Sequence, residues 1–476
     1  MLGAMRRLFG ISHPRRIPVR QVPLVRARYD AAQTTPDNMR HWAAADALSA
    51  NTANSPIVRK TLRIRSRYEV ANNTYAQGIV LTLANDTVGT GPRLQVRSDD
   101  ATVSRTIERE WTAWAKAGRL ADLLRTMRVA KAKDGEAFAM LARGGARPGA
   151  VNLALRLLEA DQVATPDLTW APNAVDGIEL DAYGDPAIYH VLKEHPGDGC
   201  LAAGEYERVA AAAMLHYFRV DRPGQYRGIP EITSALPLFA QLRRYTSAVL
   251  GAAETAADFA AVLFTDAPPD GAADLDPLDH VRLEKRMATT LPAGWKLGQM
   301  DAKQPTTTYR EFKAEVLNEI ARCLNMPFNV AACNSSSYNY ASGRLDHQTY
   351  FRSIQVEQSQ LERVVLAPLF RAWLHEARLA IPALRDVPVD ITIEWMWDGR
   401  EHVDPAKEAN AQATRLASHT TTLAAEYARA GKDWEAELRQ RARELALMRE
   451  LGLTDQQALP AATVPAATKD QTDEQD

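Results

Sequence analysis

The longest helical pattern in this chain of 476 residues runs from about residue 344 to residue 379, and it most limits what the chain can fold into. Apolar residues recur along it at roughly helical spacing, and they are Leu345, Tyr350, Ile354, Leu361, Val365, Leu369 and Trp373. A helix of about 36 residues would be roughly 54 Å long. Pro368 lies within the pattern. Because proline removes a backbone hydrogen bond, we expect the helix to bend there.

Two shorter helical patterns precede the long one and enclose a compact insert. The first begins at Pro230-Glu231 and continues to about Asp258, and its second half consists mainly of small residues that let helices approach closely. The second runs from Tyr309 to about Leu324. This arrangement predicts a helical hairpin that carries a small subdomain at its tip. The insert is rich in proline and acidic in its first part, where the carboxylates are Asp266, Asp270, Asp274, Asp276 and Asp279.

An uncharged polar loop connects the second of these helices to the long one. Its side chains are those of Asn334, Ser335, Ser336, Ser337, Tyr338, Asn339 and Tyr340. A loop of this composition buries little surface and should be mobile. The alternative interpretation is a helix-capping connector without a special role.

The remaining sequence predicts a mixed α+β body with no internal repeat and no regular βαβ alternation. Helical patterns cover about 36–51, 56–88, 101–133 and 433–451. Strand-like patterns separated by turn residues cover 136–142, 152–158, 178–180, 187–193, 213–218 and 391–397. The arginine-rich and proline-rich N-terminus predicts an extended basic arm, and the polar C-terminus predicts a disordered tail.

The charge balance limits the classes of partner. With 57 Lys and Arg against 59 Asp and Glu, the formal net charge is −2, whereas a tight, general nucleic-acid binder normally carries a basic excess. A protein that contacts DNA without holding it is compatible with this balance. Three cysteines cannot form a disulfide framework and fit a reducing compartment. No secretory signal or membrane-spanning run is recognisable, so we expect a soluble protein made in the cytosol with no membrane partner.

The motifs that usually mark an enzyme are missing from the sequence. It contains no P-loop, no GxSxG elbow, no HExxH and no CxxC pair. His190, His195 and Cys200 lie close together, but a fourth ligand at metal-binding spacing is missing, which favours ordinary turn and strand residues over a metal site. We therefore expect no catalytic residues, no cofactor and no metal.

Two charged groups have more than one interpretation. Four carboxylates surround one predicted β-turn, namely Asp176, Glu179, Asp181 and Asp185. They favour a solvated edge over a two-metal nuclease site, which needs carboxylates from separate elements. Arg59, Arg63 and Arg67 fall on one face of a predicted helix. That face is as compatible with a nucleic-acid patch as with a solvated or intersubunit surface.

Several strings along the chain resemble the lambda-type portal proteins of tailed bacteriophages. The most specific is NSSSYNYASGRLDHQTYF at 334–351, where a run of Ser, Asn and Tyr leads into the long helix. The others are RARYDAAQTTPDNMRHW (26–42), NNTYAQGIVLTLANDTVGTGPRLQV (72–96), DGIELDAYGDPAIYHV (176–191) and VDRPGQYRGIPEI (220–232). The resemblance covers about residues 26–400.

The resemblance implies an α+β, portal-type fold that assembles as a ring, usually of twelve copies. It also implies a division of the chain into the regions of a portal protein. These are a basic N-terminal arm (1–35), a wing (36–228), a first stem helix (229–261), a clip insert (262–308), a second stem helix (309–325), a channel or tunnel loop (326–343), a long bent helix with a wing strand (344–400), a helical crown (401–455) and a disordered tail (456–476).

The same resemblance implies a function in genome packaging. A portal ring lies at one capsid vertex of the virion, is assembled in the bacterial host cytoplasm, and forms the channel for packaging by the terminase and for later DNA ejection. The implied partners are double-stranded DNA in transit, the terminase large subunit, the major capsid and scaffold proteins, and head-completion or adaptor proteins. Residues 334–340 would face the DNA. The clip residues that would face the terminase are Asp270, Asp274, Asp276 and Asp279.

Two other functions are alternatives. A nucleic-acid-processing enzyme of the packaging machinery, such as a nuclease or the terminase itself, would need a nucleotide-binding motif or a convergent carboxylate set, and neither is recognisable. A different head–tail adaptor ring would normally be much shorter than 476 residues. Missing motifs and chain length therefore favour the portal interpretation.

Overall fold

The computed structural model describes residues 36, 39–144, 149–165, 173–198, 205–258, 262–265, 295–298, 308–336, 338–399 and 405–453. Met1–Ser49 and Ala50–Asp476 are separate compact units. The described residues of the first unit form turns and irregular chain, so the predicted helix over 36–51 is wrong except at Ala50 and Asn51, which begin a short helix of the second unit. One reason is that the Asp46 carboxylate accepts a hydrogen bond from the Leu48 amide at 3.0 Å, which competes with helical bonding of the backbone.

Helices provide the frame of the second unit. In chain order they are α1 (Ala50–Ala53), α2 (Pro56–Asn72), α3 (Thr74–Val88), α4 (Ala101–Ala117), α5 (Leu120–Asp134), α6 (Leu236–Asp258), α7 (Tyr309–Arg322), α8 (Phe328–Ala331), α9 (Tyr340–Leu361), α10 (Ala367–Ala380), α11 (Pro405–Ala417), α12 (Leu423–Arg429) and α13 (Trp434–Glu450). The predicted helix over 56–88 is broken at Asn73, whose side chain caps α3. The predicted helix over 101–133 is broken at Gly118 and at Arg119, which is left-handed with φ 53°.

Antiparallel strands form the β-rich part of the unit. The strands are β1 (Arg93–Arg97), β2 (Glu136–Arg143), β3 (Leu153–Leu158), β4 (Ala174–Val175), β5 (Ile178–Leu180), β6 (Pro186–Leu192), β7 (Tyr206–Ala210), β8 (Met214–Phe218), β9 (Val262–Thr265), β10 (Trp295–Gly298) and β11 (Thr392–Met396). β2 lies between β3 and β8, and β4 to β7 form a meander. β1 pairs with β11, so the predicted strand at 391–397 is confirmed and its partner is a strand that the sequence reading missed.

The region expected to be the insert is described only at its two strands. β9 and β10 pair antiparallel, with Trp295 opposite Thr265. The acidic residues of the insert lie outside the described residues, and they are Asp266, Asp270, Asp274, Asp276 and Asp279. The helix before the insert begins at Leu236 and not at Glu231. Glu231 is held outside the helix because its amide donates to the Ala132 carbonyl at 3.0 Å.

The predicted long helix is present, and the bend expected at Pro368 stays a prediction. α9 and α10 are joined by a π-helical turn at Glu362–Leu366, and Pro368 lies in the first turn of α10 directly after it. A proline is tolerated at the first turn of a helix because its missing N–H has no intrahelical partner there. The predicted apolar face is buried except for Leu345, which is 66% exposed because it lies on the first turns of α9, ahead of the core.

The long helix passes through two hydrophobic cores. Tyr350 on α9 packs in the first core with Ile79 of α3 and Phe239 of α6. Trp373 on α10 packs in the second core against Trp111 of α4, with ring centroids 5.3 Å apart and an interplanar angle of 89°. Burying large apolar side chains such as these contributes roughly 1.5–3 kcal/mol each. This helix therefore ties the α-helical and β-rich parts of the unit together.

Candidate functional site

The uncharged polar segment lies between two helices, as the sequence predicts. It follows α8 and ends where α9 begins, so Tyr340 is the first helical residue and not part of the loop, and the helix starts before the expected Arg344. The Asn339 carbonyl accepts a hydrogen bond from the Gly343 amide at 2.9 Å, which sets this start. The exposed residues of the segment are Asn334, Ser335, Ser336 and Asn339. Ser337 lies outside the described residues.

Hydrogen bonds hold the segment at both ends. The Ser336 amide donates to Asn334 Oδ1 at 3.0 Å, and Arg310 of α7 donates to Ser336 Oγ at 3.3 Å. At the other end, Tyr338 Oη donates to Asp346 Oδ2 at 2.8 Å. Burial together with this bond raises the pKa of Tyr338 to about 12, so it stays protonated. The segment thus presents neutral hydrogen-bonding groups, and its charged partners lie at its two ends.

Glu136, the first residue of β2, is a buried carboxylate that is surrounded by cations. Arg227 donates to both of its oxygens, at 2.7 and 2.9 Å, and Arg63 lies 3.3 Å away. His216 Nε2 is 3.1 Å from Glu136 Oε2. Burial by itself would raise the pKa of Glu136, but Arg227 and His216 outweigh it and hold that pKa well below its usual value.

The three arginines predicted to share one face of α2 all point into the molecule. Arg59 pairs with Asp176, and burial lowers the pKa of Arg59 to about 10. Arg63 pairs with Asp161 at 3.0 Å, and Arg67 contacts the same carboxylate at 2.8 Å. Both expected interpretations of this face, a nucleic-acid patch and a solvated or intersubunit surface, are therefore wrong, because its partners lie in the β-rich part of the same chain.

The carboxylates around the predicted turn separate into two groups. Asp181 and Asp185 are exposed, as expected for a solvated edge. Asp176 departs from that expectation, because it is largely buried and lies 3.3 Å from Arg227 Nη1 in addition to its contact with Arg59. Glu179 pairs with Arg208 at 2.7 Å. None of this brings the carboxylates together in the way that a two-metal site needs.

A second buried network joins α5, β8, the segment before α6 and the long helix. Its centre is Glu357 on α9, which pairs with Lys131 and accepts a hydrogen bond from the hydroxyl of Tyr217 on β8. Arg128 of α5 donates to Glu231, just before α6, at 2.8 Å. Burial lowers the pKa of Lys131, although both carboxylates oppose that change. Burial would raise the pKa of Glu357, but Arg128 and Lys131 lower it below its usual value.

One group of residues has the composition of a metal site and is held as ion pairs. His195 Nε2 lies 3.2 Å from Glu159 and 3.9 Å from Asp161. Arg67 reaches both carboxylates, at 3.2 and 2.8 Å, and already supplies them with a positive charge. His190 is separate, 2.6 Å from Glu179, and Cys200 lies outside the described residues.

The sequence reading missed both buried networks. Glu136 is far along the chain from Arg227, and Lys131 is far from Glu357. Arg227 lies in the family-like string at 220–232, but that string does not show which residue it pairs with. The one signal was the regular spacing of the arginines on α2, which shows that they share a face but not which way that face points. In the part of the chain that the structure describes, no helix is long and apolar enough to cross a membrane.

Comparisons with known proteins point to one family. A family model described as "Phage portal protein, lambda family" matches residues 35–358. A curated relative, the probable portal protein of Halomonas phage phiHAP-1, is 26% identical over 506 residues, covering 96% of this chain and 94% of the relative.

Two solved structures are also similar to this chain. A chain from the neck of a native gene transfer agent particle, computed with C12 symmetry, covers 77% of this chain and 90% of its own length, at 16% identity and a TM-score of 0.47. A chain from the virion of a native gene transfer agent particle covers 84% of this chain and 99% of its own length, at 16% identity and a TM-score of 0.43. The family match spans well over half of the chain and confirms the resemblance seen in the sequence. The chain therefore belongs to the lambda family of phage portal proteins, which are structural proteins of bacteriophages.

Proposed function

We propose that copies of this chain form a closed ring at one vertex of a capsid and that DNA is packaged and ejected through the centre of this ring. Membership in the portal family supports the proposal. A closed ring needs a head-to-tail contact between two different surfaces of the chain, repeated until the rotation closes. We propose twelve copies in the ring.

The observation that carries the proposal is the neutral polar segment at 334–339. Each fixed contact between a lysine or arginine and a phosphate releases counterions and adds affinity, so a basic lining would hold DNA and slow its passage. The exposed amides and hydroxyls of Asn334, Ser335, Ser336 and Asn339 carry no charge. They can form and exchange weak hydrogen bonds with DNA of any sequence. We propose that this segment faces the channel.

The surroundings of the segment are suited to this task. It is attached to α9, which is continuous through the π-helical turn with α10 and packs in both hydrophobic cores. Glu357 on α9 is fixed by Lys131 of α5 and Tyr217 of β8. A binding loop on a rigid scaffold keeps its position while its side chains exchange contacts.

The other regions then take the functions that the portal family implies. We propose that α6 and α7 are the stem helices, that residues 262–308 are the clip that binds the terminase, and that α11 to α13 form the crown. The acidic residues offered to the terminase are Asp270, Asp274, Asp276 and Asp279. The wing would contact the capsid and scaffold proteins, and the clip would later bind head-completion proteins. The chain would not hydrolyse ATP, since the terminase would supply the energy.

Protein counting in purified particles tests the location in the virion. One ring of the proposed twelve copies at a single vertex gives about twelve copies of this chain per particle. This copy number is measured by quantitative mass spectrometry against the major capsid protein. Particles assembled without the chain should contain no packaged DNA. Hundreds of copies per particle, or normal DNA content without the chain, would contradict the proposal.

A further inference from the structure

Helix α2 exposes its apolar face and buries its charged face. Ile57, Ile64 and Tyr68 are 80%, 57% and 52% exposed, whereas Arg59 and Arg63 are 1% and 6% exposed. Ile57, Ile64 and Tyr68 follow one another at steps of seven and four residues, so they form one stripe along the helix. A surface helix of a globular protein normally has the opposite arrangement, with the apolar stripe facing the core.

Ion pairs with the β-rich part account for the burial of the arginines on α2. The exposed apolar residues on the other side of α2 have no comparable set of partners among the described residues of the same molecule. Arg243 of α6 lies over the ring of Tyr68, with its guanidinium 5.1 Å from the ring centroid, and half of the surface of Tyr68 stays exposed. Ile57 and Ile64 lie open to solvent. A contiguous exposed apolar stripe marks a surface that another molecule covers.

Two cations flank this stripe. Lys60 and Arg65 are exposed on α2, and neither forms an ion pair with any residue in the ranges that the structure describes. An apolar centre with a charged rim is the usual anatomy of a protein–protein interface. The rim charge is positive, so the partner should present an apolar group among carboxylates.

Helix α7 presents a surface of that kind. Phe312 is 53% exposed, and it is accompanied on the same side of the helix by the exposed carboxylates of Glu311 and Glu315. No ion pair involves these two carboxylates within the described part of the chain. Phe312 also packs against Tyr245 of α6, with ring centroids 5.1 Å apart, and about half of its surface stays exposed. In the same part, no hydrogen bond or ion pair joins α7 to α2 of the same copy.

We propose that the stripe on α2 of one copy packs on α7 of the next copy in the ring. Ile57 and Ile64 would contact Phe312, and the rim cations would face the two carboxylates. Because the two surfaces differ, the contact is head-to-tail, which is the kind that a closed ring needs. The inference rests on the proposed ring. The N-terminal arm is the less suitable occupant because its seven arginines repel Lys60 and Arg65.

The apolar part of the contact is tested with the double variant Ile57→Asp, Ile64→Asp in the full chain. We expect the protein concentration for half-maximal ring assembly, measured by sedimentation velocity, to rise at least roughly tenfold. Circular dichroism should show an unchanged fold, because both positions are exposed. The matched control is Leu379→Asp, at a site that is 78% exposed on α10, and it should assemble like the wild type.

The charged part is tested by exchange of the rim charges. The pair Lys60→Glu, Arg65→Glu and the pair Glu311→Lys, Glu315→Lys should each weaken assembly, and a protein with all four changes should recover it. Normal assembly of the Ile57→Asp, Ile64→Asp variant would overturn this inference, and so would a lack of recovery in the fourfold variant. Neither result would contradict the proposed ring. Loss of assembly on removal of residues 1–35, with no effect of the charge exchange, would identify the arm as the occupant and also overturn it. A wild-type chain that forms no ring would instead contradict the proposed function.

Discussion

Arg227 and Glu136 form a two-point ion pair in the interior of the molecule. The Nη2–Oε1 and Nε–Oε2 distances are 2.7 and 2.9 Å, and the two side chains are 1% and 0% exposed. Glu136 begins β2, and Arg227 lies in the segment that leads to α6. The pair therefore fixes the β-rich part against the start of the proposed stem.

Removal of the charge at Glu136 should strongly destabilise the fold. In Glu136→Gln the buried guanidinium of Arg227 loses its two-point anionic partner and keeps only Asp176, at 3.3 Å. Breaking a buried pair from one side costs about 3–5 kcal/mol. Urea unfolding followed by circular dichroism measures the change. The control is Glu205→Gln, which breaks the exposed pair with Lys193 at 2.6 Å and should leave stability unchanged. Equal stability of wild type and Glu136→Gln would show that the buried pair does not support the fold.

Stability should fall as the pH drops below about 6.5. Burial lowers the pKa of His216, so the unfolded chain binds a proton at a higher pH than the folded chain does. Neutral His216 therefore makes its full contribution to the free energy of unfolding above its pKa in the unfolded chain. That contribution is lost as the pH falls toward the pKa of His216 in the folded protein. Glu136, whose pKa is also held down, adds a second loss below about pH 4.3.

The histidine part of this profile is isolated by His216→Gln. The free energy of unfolding, measured by urea titration from pH 7.5 to pH 5, should decline less steeply in the variant, by up to about 1.4 kcal/mol per pH unit. The exposed-site control His419→Gln should keep the wild-type slope. A wild-type slope in His216→Gln would mean that His216 does not contribute.

The sequence predicts an element of the fold when local residue patterns determine that element, and it fails when contacts between distant residues do. The apolar face at Tyr350, Ile354 and Leu361 is local, so it correctly predicts a buried helix. The strands at 136–142 and 213–218 are likewise confirmed, because alternation and turn residues are local signals. β1 was missed because its partner β11 lies far away in the sequence.

The direction in which charged side chains point was not predictable. Arg59, Arg63 and Arg67 share a helix face by spacing alone, but the carboxylates that draw them inward come from distant positions such as Glu136 and Asp176. Composition correctly predicts a polar segment between two helices, whereas its place at the channel stays a prediction. The helix begins earlier than predicted, at Tyr340, because the Asn339 carbonyl accepts the Gly343 amide. Asparagine is a preferred residue at that position, so this start had a sequence signal.

The hydroxyl of Tyr217 should contribute to the second buried network. Tyr217 is fully buried and donates to Glu357, so Tyr217→Phe leaves that carboxylate with one donor fewer and should cost about 1–3 kcal/mol. Urea unfolding measures the loss. Tyr183→Phe is the matched control, because Tyr183 is 92% exposed, and its stability should not change. A loss of the same size at both sites would contradict a specific role for the Glu357 network.

Positive charge on the polar segment should slow DNA without breaking the ring. Ser335→Lys with Ser336→Lys adds two phosphate-binding groups, and each should make DNA contact stronger and more salt-dependent. We expect slower packaging or ejection, or poorer retention of packaged DNA, and a partial recovery at higher salt. Thr112→Lys with Ala113→Lys adds the same charge on the exposed face of α4 and serves as the control. Unchanged packaging, ejection and retention would show that the segment does not face the channel.

The central claim is that this chain forms a ring with an open centre. Electron microscopy of the purified full-length chain, with class averages viewed down the ring axis, measures this directly. The account predicts closed rings with a central channel, twelve copies per ring, and density from the polar segment at the channel wall. Particles that remain monomeric at micromolar concentration, also in the presence of capsid and scaffold proteins, would contradict it.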